Sequence, residues 1–535
     1  MGAVLYPGGG GLTAADFLPE AYGATGNGLV TGDIVTVNTS NVVSSASAPF
    51  TAAMIGRWMM INGGLGTANI PLIGQIQGVG GNGTQAQLSQ AAQQSASGCP
   101  GVWGTDDTAA LDAAFQAAGA YGLSSGQFYA NVRLSNKIYV AASGPTQQKS
   151  GASALYNTQV RIPYPNLTGA GPKLTIRLTG TGANGFCQFW ESLVPNYAGS
   201  CIVSMLTNAP STTDPTYLTQ SVIGGPSGGG AFTGGIANTK FIVTDVEVIS
   251  PVYTNQYAWD FGFLSAARAE RATAHIWAPT GVGGGTSPLL KDLPSQPAFQ
   301  GKIGAGFRFP VGGNNDDTTA EDCAVEGYSR GYYLFDHFVA PRLASIYNDV
   351  ALVIDPTLGP GGDHAITIGC LSCEVHNGAL LVAGGAGAGA GGYVVDIRLD
   401  AECASTTYEV SDAGNALRGI VRWSDPADPR APTVVGGAHL TFINDLLGPG
   451  QWTGAMTPAV PAVPATGVAQ LNTSYRPASV IITSGGAAVT AIAVNGVATG
   501  LTLGASGAVT VPVGSGATIT LTYGGAAPTW TWWLQ

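Results

Sequence analysis

Short apolar or alternating segments, separated by Gly, Asn and Asp turns, run through the middle of the chain. Between residues 131 and 445 they include 174–178, 241–249 and 365–368. Alternation with a period of two is typical of half-buried β-strands, and the intervening Gly and Asn residues favour tight turns. The pattern predicts an all-β body built from many short strands.

Three of these segments share a polar turn followed by an apolar strand. They cover residues 328–334, 347–353 and 375–381, at offsets of 19 and 28 residues. A unit that recurs in this way is typical of a solenoid, in which each coil stacks its apolar side chains on the previous coil about 4.8 Å away. Residues remote in sequence would then become neighbours on its flank.

One helix is predicted near the start of the chain. Thr105 or Asp106 is expected to cap it, and Asp107 favours the positive end of the helix dipole. The Ala-rich segment that follows carries Leu111 and Phe115 on one face. A short amphipathic helix of this kind is suited to covering the open end of a larger body.

The patterns divide the chain into six parts. The last of them carries a hairpin turn at Asn495 and Gly496 and alternating strands at 508–511 and 518–521, which favour a small β-sandwich-like fold. The parts are a lead-in with the start of a capping motif (1–28), an inserted small β module (29–103), the capping helix (104–130), the strand-rich body (131–455), a Pro-rich linker (456–470) and a C-terminal β domain for trimerisation or glycan binding (471–535).

Composition supports this division and excludes several classes of function. The chain has 80 Gly among 535 residues, 45% hydrophobic residues and only 10% charged residues, which argues against disorder and helical bundles. Its formal net charge is −11, and the 20 Lys and Arg residues are thinly spread, so nucleic acid is a poor partner. An acidic protein can still bind a neutral glycan, or an acidic glycan through a local Arg cluster.

Cysteines and candidate targeting segments add little chemistry. Seven scattered cysteines do not form a disulfide framework, and Cys370 and Cys373 are interpreted as small buried residues of strands. The first twenty residues lack Lys and Arg, so no export signal is expected. The uncharged stretch 379–395 is mostly Gly and Ala, which predicts a surface loop and no membrane insertion. No metal or other cofactor is indicated.

Residues 22–28 and 105–114 match the two halves of the pattern YGAxGDGxxDDTxAIxxA, with Asn27 in place of an Asp and about 75 residues between the halves. This pattern resembles the start of pectate-lyase-like β-helix proteins, phage tailspikes among them. A strand with an aromatic residue follows, here around Tyr139. The resemblance implies a right-handed parallel β-helix, a homotrimer attached to a phage tail or baseplate protein, and a location in the virion.

The expected chemistry is hydrolysis of a bacterial surface polysaccharide, either capsule or O-antigen. Glycoside hydrolysis uses two carboxylates across the scissile bond. Period two places Asp322 and Glu326 outward if Val325 faces inward, and it makes Asp245 and Glu247 project together. The candidate catalytic residues are Asp322, Glu326, Asp349, Glu374, Asp245 and Glu247, and a pair among the first four is favoured as general acid and base.

Sugar binding also needs aromatic platforms and bidentate donors. The candidates for these roles are Trp277, Tyr328, Tyr347, Arg330 and Arg342.

Two other functions remain open. A polysaccharide lyase would need a base such as Arg342, His376 or Tyr347, and a receptor-binding fibre would need no catalytic residue at all.

Overall fold

The computed structural model describes most of the strand-rich parts of the chain. The side chains of a few residues at strand ends, Glu374 and His376 among them, are not described. The described residues are 3–4, 15–47, 50–62, 71–143, 146–148, 155–163, 173–182, 199–205, 217–224, 237–251, 256–262, 264–276, 304–310, 318–328, 330–335, 337–346, 348, 350–355, 365–376, 378–382, 393–403, 410–424, 434–437, 439–444, 461–472, 478–486, 488–514 and 517–534.

The described chain is all-β apart from one α-helix and three 3-10 turns at Pro19–Tyr22, Ala52–Met54 and Gly81–Gly83. Within it, no helix is both long enough and apolar enough to cross a membrane. The first two strands are β1 (Ala3–Val4) and β2 (Asp16–Phe17).

A small closed barrel occupies the region interpreted as an inserted module. Its order is β3-β4-β7-β6-β5-β8, and within the described residues these strands pair antiparallel. It has a core of its own, in which Phe50 packs on Trp103. The strands are β3 (Leu29–Thr36), β4 (Val42–Ser44), β5 (Trp58–Ile61), β6 (Leu72–Gly80), β7 (Gln85–Leu88) and β8 (Ala96–Gly104).

The helix α1 (Thr108–Ser124) closes one end of the body that follows. Leu111 and Phe115 lie in the main core, as their spacing predicts, and Phe115 stacks on Phe241 with ring centroids 6.1 Å apart. The helix therefore shields the first coil of the body from water.

The cap of α1 joins the two halves of the split motif. Asp106 accepts the N–H of Thr108, whereas Asp107 at the cap position turns away and accepts the N–H groups of Thr25 (2.7 Å) and Gly26 (3.0 Å). Asn27 and Thr105 exchange two hydrogen bonds of 2.9 and 3.0 Å. The barrel is thus inserted between two segments that remain in contact at its base.

The body contains strands β9 to β34. In chain order they are β9 (Tyr129–Arg133), β10 (Ile138–Ala141), β11 (Thr146–Gln148), β12 (Leu155–Arg161), β13 (Leu174–Thr179), β14 (Cys201–Ser204), β15 (Tyr217–Gly224), β16 (Ala237–Thr244), β17 (Glu247–Ser250), β18 (Gln256–Asp260), β19 (Leu264–Glu270), β20 (Thr273–Ile276), β21 (Ala305–Arg308), β22 (Thr319–Glu321), β23 (Cys323–Glu326), β24 (Arg330–Leu334), β25 (Phe338–Ala340), β26 (Leu343–Ile346), β27 (Val350–Ile354), β28 (Ala365–His376), β29 (Gly378–Val382), β30 (Tyr393–Cys403), β31 (Val410–Asp412), β32 (Leu417–Ser424), β33 (Val434–Gly436) and β34 (Leu440–Asn444).

These strands form three parallel stacks, because from β12 to β25 each strand pairs with the one three strands later. The first stack is β9-β13-β16-β19-β22-β25, continued by the start of β28 and by β30, β32 and β34. The second is β10-β14-β17-β20-β23-β26 and the end of β28. The third is β12-β15-β18-β21-β24-β27-β29-β31-β33.

The core lies between the stacks and repeats from strand to strand. Trp259, Phe307 and Tyr332 are paired in register in the third stack, and their rings stack with centroids 6.0 and 5.8 Å apart. Aligned aromatic side chains bury large apolar areas on successive strands, so each strand stabilises the next.

The repeat seen in the sequence corresponds to the third stack, with one correction. Arg330 pairs with Val350 and Val350 with Gly378, which gives offsets of 20 and 28 residues. The predicted offset of 19 is wrong by one residue. A slip of one residue moves side chains to the opposite face of a strand, so this difference decides which residues face the core.

The barrel packs on the outer face of the second stack. Met60, Ile73 and Val102 of the barrel share an apolar cluster with Val203 and Ile249 of the stack. The barrel therefore covers the first strands of that face, and this cover reaches Ile249 in β17.

The C-terminal domain consists of two small sheets around a separate core. One sheet has the order β35-β40-β37-β38 and the other β39-β36-β41. The residues interpreted as a linker partly belong to it, since Pro461 and Pro464 accept hydrogen bonds from Trp530 and Tyr523. Its strands are β35 (Ala469–Leu471), β36 (Ala478–Thr483), β37 (Val489–Val494), β38 (Val497–Ala498), β39 (Ala508–Val513), β40 (Thr518–Tyr523) and β41 (Thr529–Leu534).

The split motif makes a testable contribution to stability. Asp107→Ala removes the acceptor of two backbone N–H groups at a buried site, so we expect a loss of about 1–3 kcal/mol. The measurements are the denaturant midpoint and the amide hydrogen exchange of Thr25 and Gly26. Asn27→Asp is the matched control, because the Thr105 hydroxyl can donate to the new carboxylate. Unchanged exchange at Thr25 and Gly26 in Asp107→Ala would contradict this role.

Candidate functional site

Three ionisable side chains remote in sequence meet on the outer face of the second stack. They are Glu247 in β17, His275 in β20 and Glu326 in β23, three strands that pair in parallel. Nδ1 of His275 lies 3.1 Å from Oε2 of Glu326, and its Nε2 lies 3.5 Å from Oε1 of Glu247. One imidazole ring therefore bridges two carboxylates, and we call these three residues the Glu–His–Glu cluster.

Strand alternation explains why these side chains share a face. Val248, Ala274 and Val325 belong to the main core, and each is a sequence neighbour of a cluster residue. Because successive side chains of a strand point to opposite faces, the neighbours of these core residues point outward. The register then places His275 directly opposite Glu326.

Burial makes the cluster electrostatically strong. Glu247, His275 and Glu326 are exposed by only 0%, 3% and 1%. Burial alone lowers the pKa of His275, but the hydrogen bond with Glu326 and the charges of both carboxylates outweigh it, so this pKa lies above its usual value of 6.5. The two acids therefore favour the protonated form of His275 more than water does.

The cluster lies next to the apolar patch beneath the barrel. Ile249, which belongs to that patch, pairs in register with His275. On the other side Glu326 pairs with Ile346, and Ile346 pairs with Glu374 of β28. In this register column the ionisable positions begin at His275 in β20, directly after the last strand of the apolar patch.

Two of the predicted catalytic acids have a different position. Asp245 and Asp322 have φ angles of 59° and 53°, at corners just before β17 and β23. Asp245 binds Arg271 through two hydrogen bonds of 2.6 and 2.8 Å, and Asp322 binds Arg342 at 2.6 Å. Asp245 therefore does not project beside Glu247, and each of these acids already has a cationic partner.

The remaining predicted residues divide into three groups. Asp349, Trp277 and Tyr347 lie outside the described residues, and only the backbone of Glu374 is described. Tyr328 lies in the main core, where its hydroxyl is 3.1 Å from that of Ser250, so it presents no ring to a sugar. Arg330 is half-buried, with its guanidinium carbon 5.0 Å from the ring centre of Tyr333.

A second polar cluster lies on the outer face of the third stack. The guanidinium carbon of Arg308 is 5.3 and 5.5 Å from the ring centres of Tyr257 and Phe335, and Nη1 is 3.7 Å from Asp260. Tyr257, Asp260 and Phe335 are each exposed by 1% or less. This cluster is enclosed and balances its own charge, so it is better suited to stability than to binding a ligand.

The strand pattern could have identified His275. Residues 273–276 read Thr-Ala-His-Ile, and period two with Ala274 inward would place His275 outward beside Glu326. His275 and Glu326 are far apart in sequence, and no repeat in the sequence indicates that strands β20 and β23 pair. Within the described residues, no group of three or more His, Cys, Asp or Glu is placed to hold a metal ion.

Removing the shared cation is expected to destabilise the body. His275→Gln leaves two buried carboxylates without it, which costs about 3–5 kcal/mol. The matched control replaces all three residues by Gln and should recover most of that loss, since no charge then remains buried. Trp259 is a local fluorescent probe, because its indole N–H donates to the carbonyl of Thr273 at 3.1 Å. Equal destabilisation of both variants would show that charge is not the cause.

The protonation of His275 can be measured directly. Since its folded pKa is raised above the unfolded value, its contribution to stability is complete below about pH 6.5 and is lost as the pH rises through the raised pKa. In an NMR titration of the histidine rings, we expect the signal that disappears in His275→Gln to titrate above pH 6.5. A midpoint below that value would exclude a cation between the two carboxylates.

Comparisons with known proteins do not assign the chain to a family. No protein-family model matches it, and no curated protein sequence matches it. A functional proposal therefore depends on the described side chains, on the stacking of the strands and on the resemblance of the split capping motif.

Proposed function

We propose that the chain is a phage tailspike, a right-handed parallel β-helix that binds a bacterial surface polysaccharide and cleaves it by glycoside hydrolysis. Two features support this fold and family. Three strands per coil stack in parallel, and the segment that resembles the family's opening motif joins the helix at the end of the stack. A homotrimer, attachment to a phage tail or baseplate and a place in the virion belong to the same proposal.

The observation that carries the enzymatic part is the Glu–His–Glu cluster. Strand stacking brings ionisable residues from three coils to one outer face, which is how a solenoid can assemble a site from distant residues. A carboxylate in an enclosed site next to a titratable partner is a candidate for proton transfer. We assign this role to Glu326, with His275 as its positioning residue.

The second carboxylate of the proposed pair is Glu374. Its backbone lies two strands from Glu326 in register, which corresponds to about 9.6 Å at the usual strand spacing. Inverting glycosidases hold their carboxyl groups about 6.5–9.5 Å apart, with a water molecule between them. The backbone spacing is close to the upper end of that range, and we prefer Glu374 to Asp322 because the carboxylate of Asp322 already binds Arg342 at a corner of the coil.

One observation favours a non-enzymatic receptor-binding fibre as the second candidate. The carboxylates of the cluster are almost fully enclosed, and Glu247 and Glu326 share a single histidine. Such a group of charges can stabilise a fold without meeting a substrate. Binding of the polysaccharide would then occur without cleavage.

The test is incubation of the purified protein with capsule and lipopolysaccharide from a panel of bacterial hosts, followed by sizing of the products. We expect shorter oligosaccharides from one of them. Glu326→Gln and Glu374→Gln should each lower the rate about a hundredfold or more, with adsorption retained, because general acid–base catalysis contributes that much. Asp322→Asn is the control and should keep near wild-type activity.

The outcomes separate the possibilities. Products with new ultraviolet absorbance would indicate a lyase, and adsorption without any product would indicate the fibre. If Glu326→Gln lowers the stability of the protein, the catalytic role is tested with Glu374→Gln instead. Full activity in both variants would contradict the assigned pair.

A further inference from the structure

The outer face of the first stack carries basic side chains on four successive strands. They are Arg133 in β9, Arg177 in β13, Lys240 in β16 and Arg268 in β19, and we call them the basic stripe. Arg177 and Arg268 lie in one column with Ile242 between them. Lys240 lies in the next column on one side, and Arg133 lies in the next column on the other side. Neighbouring strands are about 4.8 Å apart, so the stripe presents one cation per strand along the axis of the stack.

This face is open, unlike the outer face that the barrel covers. The side chains of Arg133 and Arg268 are exposed by 53% and 49%. Farther along the same columns Val339 is 51% exposed and Thr367 is exposed. A ligand that runs along the stack would therefore meet side chains that water already reaches.

The charges of the stripe are only partly balanced within the chain. Arg133 lies 3.8 Å from Asp16, and Arg268 pairs with Glu270. Exposed pairs of this kind are weak, so both guanidinium groups can still bind an external anion. Arg177 donates only a long hydrogen bond of 3.5 Å to Thr244, and its Nε is buried without a hydrogen-bond partner.

The stripe contrasts with the chain as a whole. The formal net charge is −11, with 20 Lys and Arg against 31 Asp and Glu. Asp16 and Glu270 lie on the same face and lower this local charge, but the four basic residues still leave an excess of positive charge, opposite in sign to the net charge. Such an excess attracts and orients an anionic ligand.

We propose that the basic stripe binds an anionic glycan chain lying along the first stack, and that the surface polysaccharide recognised by the protein carries acidic sugars. This inference rests on the proposed function and specifies its substrate class. Arg268 and Lys240 bind carboxylates of the glycan, and the neighbouring threonine and valine positions contact the sugar rings between them.

A glycan fits the stripe better than nucleic acid does. Duplex DNA carries one charge per about 1.7 Å of its axis, which is much denser than one cation per strand. The acidic remainder of the chain would repel that density. A polymer with one carboxylate for every two or more sugars needs only the few cations that this face provides.

The experiment measures binding of the full chain to three probes of similar length: hyaluronan, which has one carboxylate per disaccharide, uncharged dextran and single-stranded oligothymidylate. We expect hyaluronan to bind best, with an affinity that falls as salt increases. Lys240→Gln combined with Arg268→Gln should weaken that binding about tenfold. Arg177 is left unchanged in this variant, because its Nε is buried and its replacement could also lower stability. Arg57→Gln on the barrel is the matched control and should bind like the wild type.

Three binding results would overturn the inference. They are equal binding of dextran, tighter binding of oligothymidylate, and an unchanged affinity for hyaluronan in the double variant. Light scattering must also give the same oligomeric mass for wild type and double variant, because a lost oligomer would mark the face as a contact between copies. The double variant could also cleave a host polysaccharide at the wild-type rate. That result would leave the proposed function intact and reject the stripe.

Discussion

Parallel hydrogen bonding between every third strand is the constraint on which the rest of this structure depends. A parallel pair needs a crossover connection, so the chain must travel through the other two stacks before it returns to the first. Each return places side chains of equal register about 4.8 Å apart. Aromatic ladders such as Trp259–Phe307–Tyr332 and the Glu–His–Glu cluster result from the same geometry.

At the ends and corners of the coils, where apolar stacking stops, acidic side chains bind backbone N–H groups or arginines. Asp107 bonds the segment before the barrel to the start of α1. Asp245 and Asp322, at corners with positive φ, bind arginines of the following coils. Acids of this kind link neighbouring segments at the ends and corners of the body. Acids within strands, such as Glu247 and Glu326, can instead be enclosed next to residues from other coils.

The barrel and the stack also divide the surface of the molecule. The barrel covers the apolar start of the second stack as far as Ile249, and ionisable positions follow directly after it. The first stack keeps an open outer face with the basic stripe. The two outer faces therefore differ in chemistry, since one encloses carboxylates and the other exposes cations.

The sequence by itself determined the class of structure and its local elements. Period-two alternation and turn residues indicated an all-β body, and the Asp-Asp-Thr segment with Leu111 and Phe115 indicated a helix whose face is buried. It also located the strands of the third stack, within one residue of their register. These features depend on neighbouring residues, whose propensities and periodicity are visible in the chain itself.

Only the tertiary structure decided which residues meet. The pairing of His275 with Glu326 spans 51 residues, and Tyr328, expected to bind a sugar, lies in the main core. Asp245 and Glu247 are two residues apart, yet one turns at a corner and the other is enclosed. Coil lengths vary with the loops between strands, so register between coils is set by packing and hydrogen bonding across the stack, which no local pattern encodes.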